Sequence, residues 1–184
     1  MPSNEIGTDG TITRDARNRY TRRAEGGAHG AFEAETRRAG GSPRAEVEIE
    51  HNTAPSDVAS VLGESGEVTI RRRRMYDGER LVQLADTYIP RFVTEAAPQA
   101  AELNTGEGGI ISRMADAGLS QTEVLEDIEQ APATPEQAAA FGVDVGAPLL
   151  NIVHVGRVAD GRVVEVTRHV LSPGWRLRYE VPVV

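Results

Sequence analysis

Residues 68–90, with the sequence VTIRRRRMYDGERLVQLADTYIP, contain two strand-like runs on either side of the dipeptide Asp77-Gly78. Residues 68–75 and 81–89 are rich in types that favour β-strands, and Asp-Gly between such runs is typical of a hairpin turn. Because strands joined by a tight turn pair in the antiparallel sense, the stretch predicts an antiparallel sheet. It also places four consecutive arginines on one strand.

The order of elements around this hairpin occurs twice along the chain. Asp77-Gly78 and Pro90 recur as Asp160-Gly161 and Pro173 at the same spacing. Helices are predicted at residues 30–40, 54–63, 108–118 and 134–142, and further strands at 44–51, 121–130, 149–158, 163–170 and 175–183. We therefore predict an α+β domain with a mostly antiparallel sheet, helices on one side, and an internal duplication. A pocket is expected where the two halves meet.

Composition limits the classes of protein to consider. The chain has 184 residues, a formal net charge of −8 and no cysteine, and all of its lysine-plus-arginine positions are arginine. The length suits one domain, predicted for residues 25–184 after a polar tail or interdomain linker in residues 1–24. Disulfides are excluded, and no apolar run is long enough to span a membrane. The N-terminus lacks the layout of a signal peptide, so a cytoplasmic protein is expected.

The arginine run divides between the two faces of its strand. Side chains alternate along a strand, so Arg72 and Arg74 share one face, and Arg71 and Arg73 share the other. Two guanidinium groups at that spacing are suited to binding a carboxylate or phosphate of a small ligand. The alternative is that they are surface arginines paired with the more numerous acidic residues.

Two other segments are candidates for ligand binding. Glu165, His169 and Leu171 fall on one face of the strand at 163–170, and the glycine-rich sequence TGEGGII offers free backbone N–H groups to an anion. The alternatives are a solvated strand face and glycines that serve only a turn. The histidines lack metal-ligand spacing and no catalytic motif is present, so no catalytic residue, metal or cofactor is predicted.

The ordered motifs APSDVASVLG, VTIRRRRMYDGERLVQLADTYIP, GGIISRMADAG, PATPEQAAAFGV, VADGRVVEVTRHVL and WRLRYEVP resemble the UTRA effector-binding domain of HutC-subfamily GntR-type regulators. The resemblance covers residues 30–184 and implies a chorismate lyase-like fold. Family members carry a winged helix-turn-helix domain before this domain, and RDARNRYTRR resembles the linker that follows it. The chain is therefore expected to lack that DNA-reading domain, either as a fragment or as a natural protein without it.

The resemblance also implies an effector site. Its residues here would be Arg72, Arg74, Gly109, Ile110, Ile111, Glu165, His169 and Leu171. Three positions that carry hydroxyl groups in phosphosugar-sensing members are Gly109, Ile111 and Leu171 in this chain. The loss of those hydrogen bonds favours a flatter carboxylate with an apolar body, lying against Ile110, Ile111, Leu171 and Trp175, over a phosphosugar.

Three functions are compatible with these features. The first is a small-molecule sensor that forms a homodimer and controls operator DNA through a winged-helix domain. The second is an enzyme of the chorismate lyase type, which the fold permits without requiring. The third is a stand-alone dimerisation module that acts on full-length paralogues.

Overall fold

The computed structural model describes residues 11–20 and 28–181, apart from the side chains of residues 17 and 18. The strands are β1 Ile12–Asp15, β2 Pro43–Thr53, β3 Glu67–Asp77, β4 Arg80–Ile89, β5 Glu123–Pro132, β6 Pro148–Arg157, β7 Val163–Leu171 and β8 Trp175–Arg178. The helices are α1 Ala16–Arg19, α2 Ala31–Arg38, α3 Ser56–Leu62, α4 Arg91–Ala96, α5 Gly109–Asp116 and α6 Pro135–Phe141, with a 3-10 turn at Pro98–Ala101. Within these described ranges, no helix has the length and apolar character needed to cross a membrane.

Six strands form one antiparallel sheet in the order β2-β3-β4-β7-β6-β5. The order is symmetric about the contact between β4 and β7, where Thr87 pairs with Thr167. Each half contributes helix, strand, helix, strand, strand in the same sequence. The predicted α+β class, antiparallel sheet and internal duplication are therefore confirmed.

The helices pack on both faces of the sheet, and the prediction that they lie on one side is corrected. Val58 and Leu62 of α3 pack with Ile70 and Val166 on one face. Met114 of α5 packs with Ile89 on the opposite face, because Ile89 follows Tyr88 along β4 and strand side chains alternate. The first helix of each duplicated unit thus covers one face and the second covers the other, so the central strands are buried on both sides.

The N-terminal residues add a small second sheet. β1 pairs in parallel with β8, and Ile12 is buried with Phe32 and Met75. This strand lies inside the segment predicted as a tail, most of whose other residues lie outside the described ranges. α4 and the 3-10 turn were not predicted either, because Pro98 interrupts a short stretch with no side-chain cap. These short elements depend on distant partners rather than on local sequence.

Candidate functional site

A cavity of about 420 Å³ lies on the sheet face that carries α2 and α5. Its floor is made by β2, β3, β6 and β7, and its other walls come from β1, α1, α2, α5 and the loop before α5. The lining side chains and backbone include Arg14, Arg19, Tyr20, Phe32, Val47, Arg71, Arg73, Met75, Thr105, Gly109, Ile110, Ile111, His154, Glu165, Thr167 and His169. A cavity of this size and mixed polarity suits a small organic molecule.

Arg71 and Arg73 give the β3 end of the cavity a positive charge. Arg71 donates from Nη1 to the carbonyl oxygens of Ala100, at 3.1 Å, and of Glu102. Arg73 donates from Nη2 to Thr87 Oγ1, and its buried Nε has no hydrogen-bond partner among the described residues. Burial lowers the pKa of each guanidinium to about 10, and for Arg73 the charge of Arg71 adds to that effect. Neither forms an ion pair with a carboxylate in the described part of the chain.

Arg72 and Arg74, the predicted ligand clamp, lie on the opposite face of β3 and do not line the cavity. Arg72 donates to Glu50 at 2.9 Å and to Asp86 at 2.6 Å, and its side chain is 41% exposed. Arg74 is 49% exposed and lies 3.9 Å from Glu46. The four arginines alternate between the two faces of β3 as predicted. The pair assigned to the ligand was wrong, because Arg71 and Arg73 line the cavity. Arg72 and Arg74 instead pair with surface carboxylates, as the alternative interpretation held.

At the β6 end, a buried histidine lies between two carboxylates. His154 is related to Arg71 by the pseudo-two-fold, since Arg71 pairs with Thr87 and His154 pairs with Thr167. His154 Nε2 lies 3.2 Å from Glu165 Oε1, and Nδ1 lies 3.6 Å from Glu126 Oε1. The duplicated units therefore place different chemistry at equivalent positions, with cations in the first half and a carboxylate–histidine cluster in the second.

Hydrogen bonds connect the two ends across the centre of the sheet. Arg73 donates to Thr87, whose Oγ1 lies 2.8 Å from Thr167 Oγ1, and Thr167 donates to Glu165 Oε2 at 3.4 Å. Gln121 Nε2 donates to the other oxygen of Glu165 at 2.6 Å. Glu165 was predicted as a site residue, and the structure places it in the cavity wall at 3% exposure.

The charges of this cluster favour an ionised, paired state. Burial opposes protonation of His154, but the nearby carboxylates of Glu126 and Glu165 outweigh it, so the pKa of His154 lies above its ordinary 6.5. Burial alone would raise the pKa of Glu165, yet His154 and Gln121 hold it below its usual value. The pKa of Glu126 is held far below its usual value by His154, Arg14 and Tyr20 despite its burial.

His169, another predicted site residue, also lines the cavity. Its Nδ1 lies 3.0 Å from Gln83 Nε2. Burial, followed by the positive charges of Arg14, Arg19 and Arg73, lowers the pKa of His169 well below 6.5. The ring is therefore neutral at neutral pH.

The two histidines predict a maximum of stability near pH 6.5. The raised pKa of His154 means that its stabilising contribution is complete below 6.5 and is lost as pH rises through the higher folded pKa. The lowered pKa of His169 means that stability falls as pH drops below 6.5, where the unfolded chain binds a proton that the native state does not. In urea unfolding across a pH series, we expect His154→Gln to flatten the alkaline side of the profile and His169→Gln to flatten the acidic side. An unchanged alkaline slope in His154→Gln would contradict the assignment.

The backbone N–H groups of Gly108 and Gly109, predicted to be free for an anion, donate to the carbonyl oxygens of Ala28 and Gly106, so the alternative that these glycines serve the turn describes them. Gly108 N–H donates to the Ala28 carbonyl at 2.8 Å, and Gly109 has a φ of +69°. A Cβ atom at Gly109 would lie 2.6 Å from the His29 carbonyl oxygen, so glycine permits this close approach. Ile110 and Ile111 line the cavity as predicted.

Two predicted apolar contacts lie elsewhere. Leu171 is fully buried beside Gln83 and Leu150 and does not line the cavity. Trp175 packs on Phe32 and donates from its indole N–H to the Val82 carbonyl at 2.9 Å. Trp175 therefore supports Phe32, which lines the cavity.

Residues 12–20, hereafter the N-terminal segment, supply a wall that sequence reasoning did not include in the site. Arg14, Arg19 and Tyr20 line the cavity. Arg14 is paired with Glu126, and Arg19 is paired with Glu35, in ion pairs that are buried. The alternation of Ile12, Thr13 and Arg14 is the one local signal of a strand, and four residues are too few to predict one.

The described residues contain no group of three His, Cys, Asp or Glu side chains arranged to hold a metal ion. Several cavity-lining donors, among them Nε of Arg71 and of Arg73, have no acceptor among the described residues, and the arginines do not deprotonate near neutral pH. The arrangement is therefore suited to holding an anionic organic molecule.

Comparison with known proteins identifies the family. Residues 39–173 match the model of the UTRA domain. The chain belongs to the UTRA domain family. This match covers most of the sequence and agrees with the resemblance seen in the ordered motifs.

Relatives of this UTRA domain are transcriptional regulators. The chain is 29% identical over 133 residues to the HTH-type transcriptional regulator Rv0792c of Mycobacterium tuberculosis, covering 69% of this chain and 48% of that protein. It thus spans about half the length of this curated relative. The fold is similar to PhnF from Mycobacterium smegmatis, with a TM-score of 0.72, 17% identity, and coverage of 94% and 72% of the two chains. For the effector domain of PhnF the TM-score is 0.67 at 18% identity, with 84% and 97% covered.

Proposed function

We propose that this UTRA domain is the effector sensor of a GntR-type transcriptional regulator of the HutC subfamily, and that it binds a small anionic metabolite between its two halves. The observation that carries the proposal is the pair Arg71 and Arg73, which lines the cavity without a carboxylate partner among the described residues. Arg71 is buried and Arg73 is half-buried, and the two like charges on one face of β3 repel each other, so an anion bound beside them would be stabilised.

A carboxylate with an apolar body fits the cavity better than a phosphosugar. The walls near Arg71 and Arg73 include Phe32, Met75 and Ile110, none of which hydrogen-bonds a sugar hydroxyl group. A carboxylate accepts two parallel N–H bonds from one guanidinium, and its hydrocarbon part gains from burial against such side chains.

Control of transcription requires that the effector bind one conformational state of the regulator more tightly than the other. We propose that the complete regulator acts in the cytoplasm as a homodimer, because two-fold operators match two-fold proteins. A winged-helix domain would contact operator DNA, and the UTRA domain would bind the metabolite and change the DNA affinity. The HTH-type name of the relative in Mycobacterium tuberculosis supports this arrangement.

Native mass spectrometry of the protein expressed in its own host tests the proposal. We expect a retained mass that is released on denaturation and that ionises as an organic acid. The matched control is Val47→Trp, which fills the cavity at a residue that lines it and should remove the retained mass. A retained molecule without an acidic group, or the same retained mass in Val47→Trp, would contradict the proposed function.

A further inference from the structure

Arg14 has buried hydrogen-bond donors that nothing in the described protein accepts. Its side chain is 2% exposed, and Nη2 donates to Tyr20 Oη at 3.1 Å and to the Glu126 carboxylate. Nε and Nη1 are buried and have no hydrogen-bond partner in the described ranges. Buried guanidinium donors are nearly always satisfied, so two unmet donors on a residue that lines a cavity point to a ligand acceptor.

The position of Arg14 is fixed from two sides. β1 pairs with β8, so that Arg14 lies opposite Leu177, and the ion pair with Glu126 ties the guanidinium group to β5. Because the side chain of Arg14 is already fixed, a ligand that accepts from its free donors does not lose affinity to the ordering of that side chain.

Arg14 approaches the cavity from the end opposite Arg71 and Arg73. Glu126 pairs with His154 of β6, and β6 is three strands from β3 in the sheet. At about 4.8 Å per strand, the two backbones are roughly 14 Å apart. A ligand whose acidic group binds at β3 therefore extends its other end toward Arg14.

This end of the cavity already holds two carboxylates beside Arg14. The guanidinium of Arg14 and the ring of His154, whose pKa is raised by the two carboxylates, lie against Glu126 and Glu165. A second carboxylate on the ligand would face two buried carboxylates, whereas a neutral carbonyl oxygen accepts from Arg14 without adding charge. An amide fits best, because its N–H group can also donate to Glu165.

We propose that Arg14 is an effector-binding residue that donates to a neutral acceptor, of the amide carbonyl type, at the end of the effector remote from its acidic group. This inference rests on the proposed function and adds the chemical class of the ligand. It also places a specificity-determining residue outside residues 39–173, which match the family model.

Isothermal titration with two series of probes tests the inference. One series is straight-chain n-alkanoates, and the other is the ω-amides of the corresponding dicarboxylic acids. We expect the best ω-amide to bind the wild type about fivefold to tenfold more tightly than the n-alkanoate of equal length, as one or two added hydrogen bonds would give. Arg14→Lys keeps a cation beside Glu126 but loses the planar fork, so the ω-amide preference should vanish while n-alkanoate affinity is retained.

Arg72→Lys is the matched control, because Arg72 lies on the opposite sheet face, and it should keep the preference. If Arg14→Lys does not fold, as judged by circular dichroism, the double variant Arg14→Gln with Glu126→Gln removes both charges together and takes its place. Binding of n-alkanoates without an ω-amide preference, or a preference that survives the loss of Arg14, overturns this inference alone. If neither series binds the wild type, the proposed carboxylate effector fails as well, and the two failures are thereby distinguished.

Discussion

Arg73→Met is expected to weaken binding of a carboxylate effector by about a hundredfold without lowering the free energy of unfolding. Each charge-assisted hydrogen bond contributes about 1.5–3 kcal/mol, and a bidentate pair from one guanidinium accounts for a loss of this size. Arg73 is suited to this role because its protein contacts use Nη2 alone, on Thr87, and leave Nε unpaired within the described structure.

The stability part of this expectation follows from the surroundings of the same guanidinium. Burial and the neighbouring charge of Arg71 lower the pKa of Arg73 to about 10, which means that the folded state disfavours its positive charge. Methionine has a similar length and no charge, so it removes that cost while filling the space. A residue that is retained for binding at a cost to folding is the pattern expected of a functional site.

Arg72→Met provides the matched control, because it removes the same side chain from the adjacent position of the same strand. Its ion pairs with Glu50 and Asp86 are at the surface, so its loss should change the free energy of unfolding by less than about 1 kcal/mol. Effector affinity should stay at the wild-type value. Titration calorimetry with the tightest-binding n-alkanoate, alongside urea unfolding, measures both quantities. Equal losses of affinity in the two variants would show that Arg73 does not form the anion site.

The local features of the fold could be predicted from the sequence because each has a short-range cause. Asp77-Gly78 and Asp160-Gly161 specify hairpins, and the structure has β3–β4 and β6–β7 there. Thr134 and Gln137 have the spacing of a helix capping box at the start of the helix predicted at 134–142, and the structure contains both hydrogen bonds of that box. The symmetric order of the six strands agrees with the predicted duplication, although the sequence alone did not specify which strands pair at the centre.

The face of the arginine run could not be chosen by alternation alone. Val68 and Ile70 pack beneath α3, which puts the even-numbered side chains of β3 on that face and Arg71 and Arg73 on the cavity face. A usable signal was present in the neighbouring strand, where alternating glutamates pair in register with the even-numbered arginines: Glu46 opposite Arg74 and Glu48 opposite Arg72. Reading the two strands together would have assigned that face to surface ion pairs.

The N-terminal wall was missed for a different reason. β1 has four residues and no local hairpin, and its partner β8 lies more than a hundred and fifty residues later in the chain. Pairings of such separation leave almost no local sequence signature, since their stability comes from the contacts made on folding. Arg14 and Arg19 therefore looked like the charges of a solvated linker.

Arg19→Met is expected to lower the free energy of unfolding by about 3–5 kcal/mol, because it leaves Glu35 as an uncompensated buried carboxylate. The exposure of Arg19 is 6% and that of Glu35 is 3%. Burial lowers the pKa of Arg19, but the charge and hydrogen bond of Glu35 more than offset it, so the pKa of Arg19 is raised. The ion pair joins α1 to α2 and so attaches the N-terminal segment to the body of the domain.

The double variant Arg19→Met with Glu35→Met separates loss of the pair from exposure of one charge. Replacing both partners of a buried ion pair with apolar residues is often neutral, so the double variant should unfold within about 1 kcal/mol of the wild type. Arg37→Met is the surface control, since Arg37 pairs with Glu33 on the same helix at 51% exposure and should cost less than about 0.5 kcal/mol. Urea unfolding of the three variants measures these changes in the free energy of unfolding. A loss below about 1 kcal/mol in Arg19→Met would mean that the N-terminal segment leaves the cavity wall in solution, and the effector site would then consist of the sheet and α5 without Arg14.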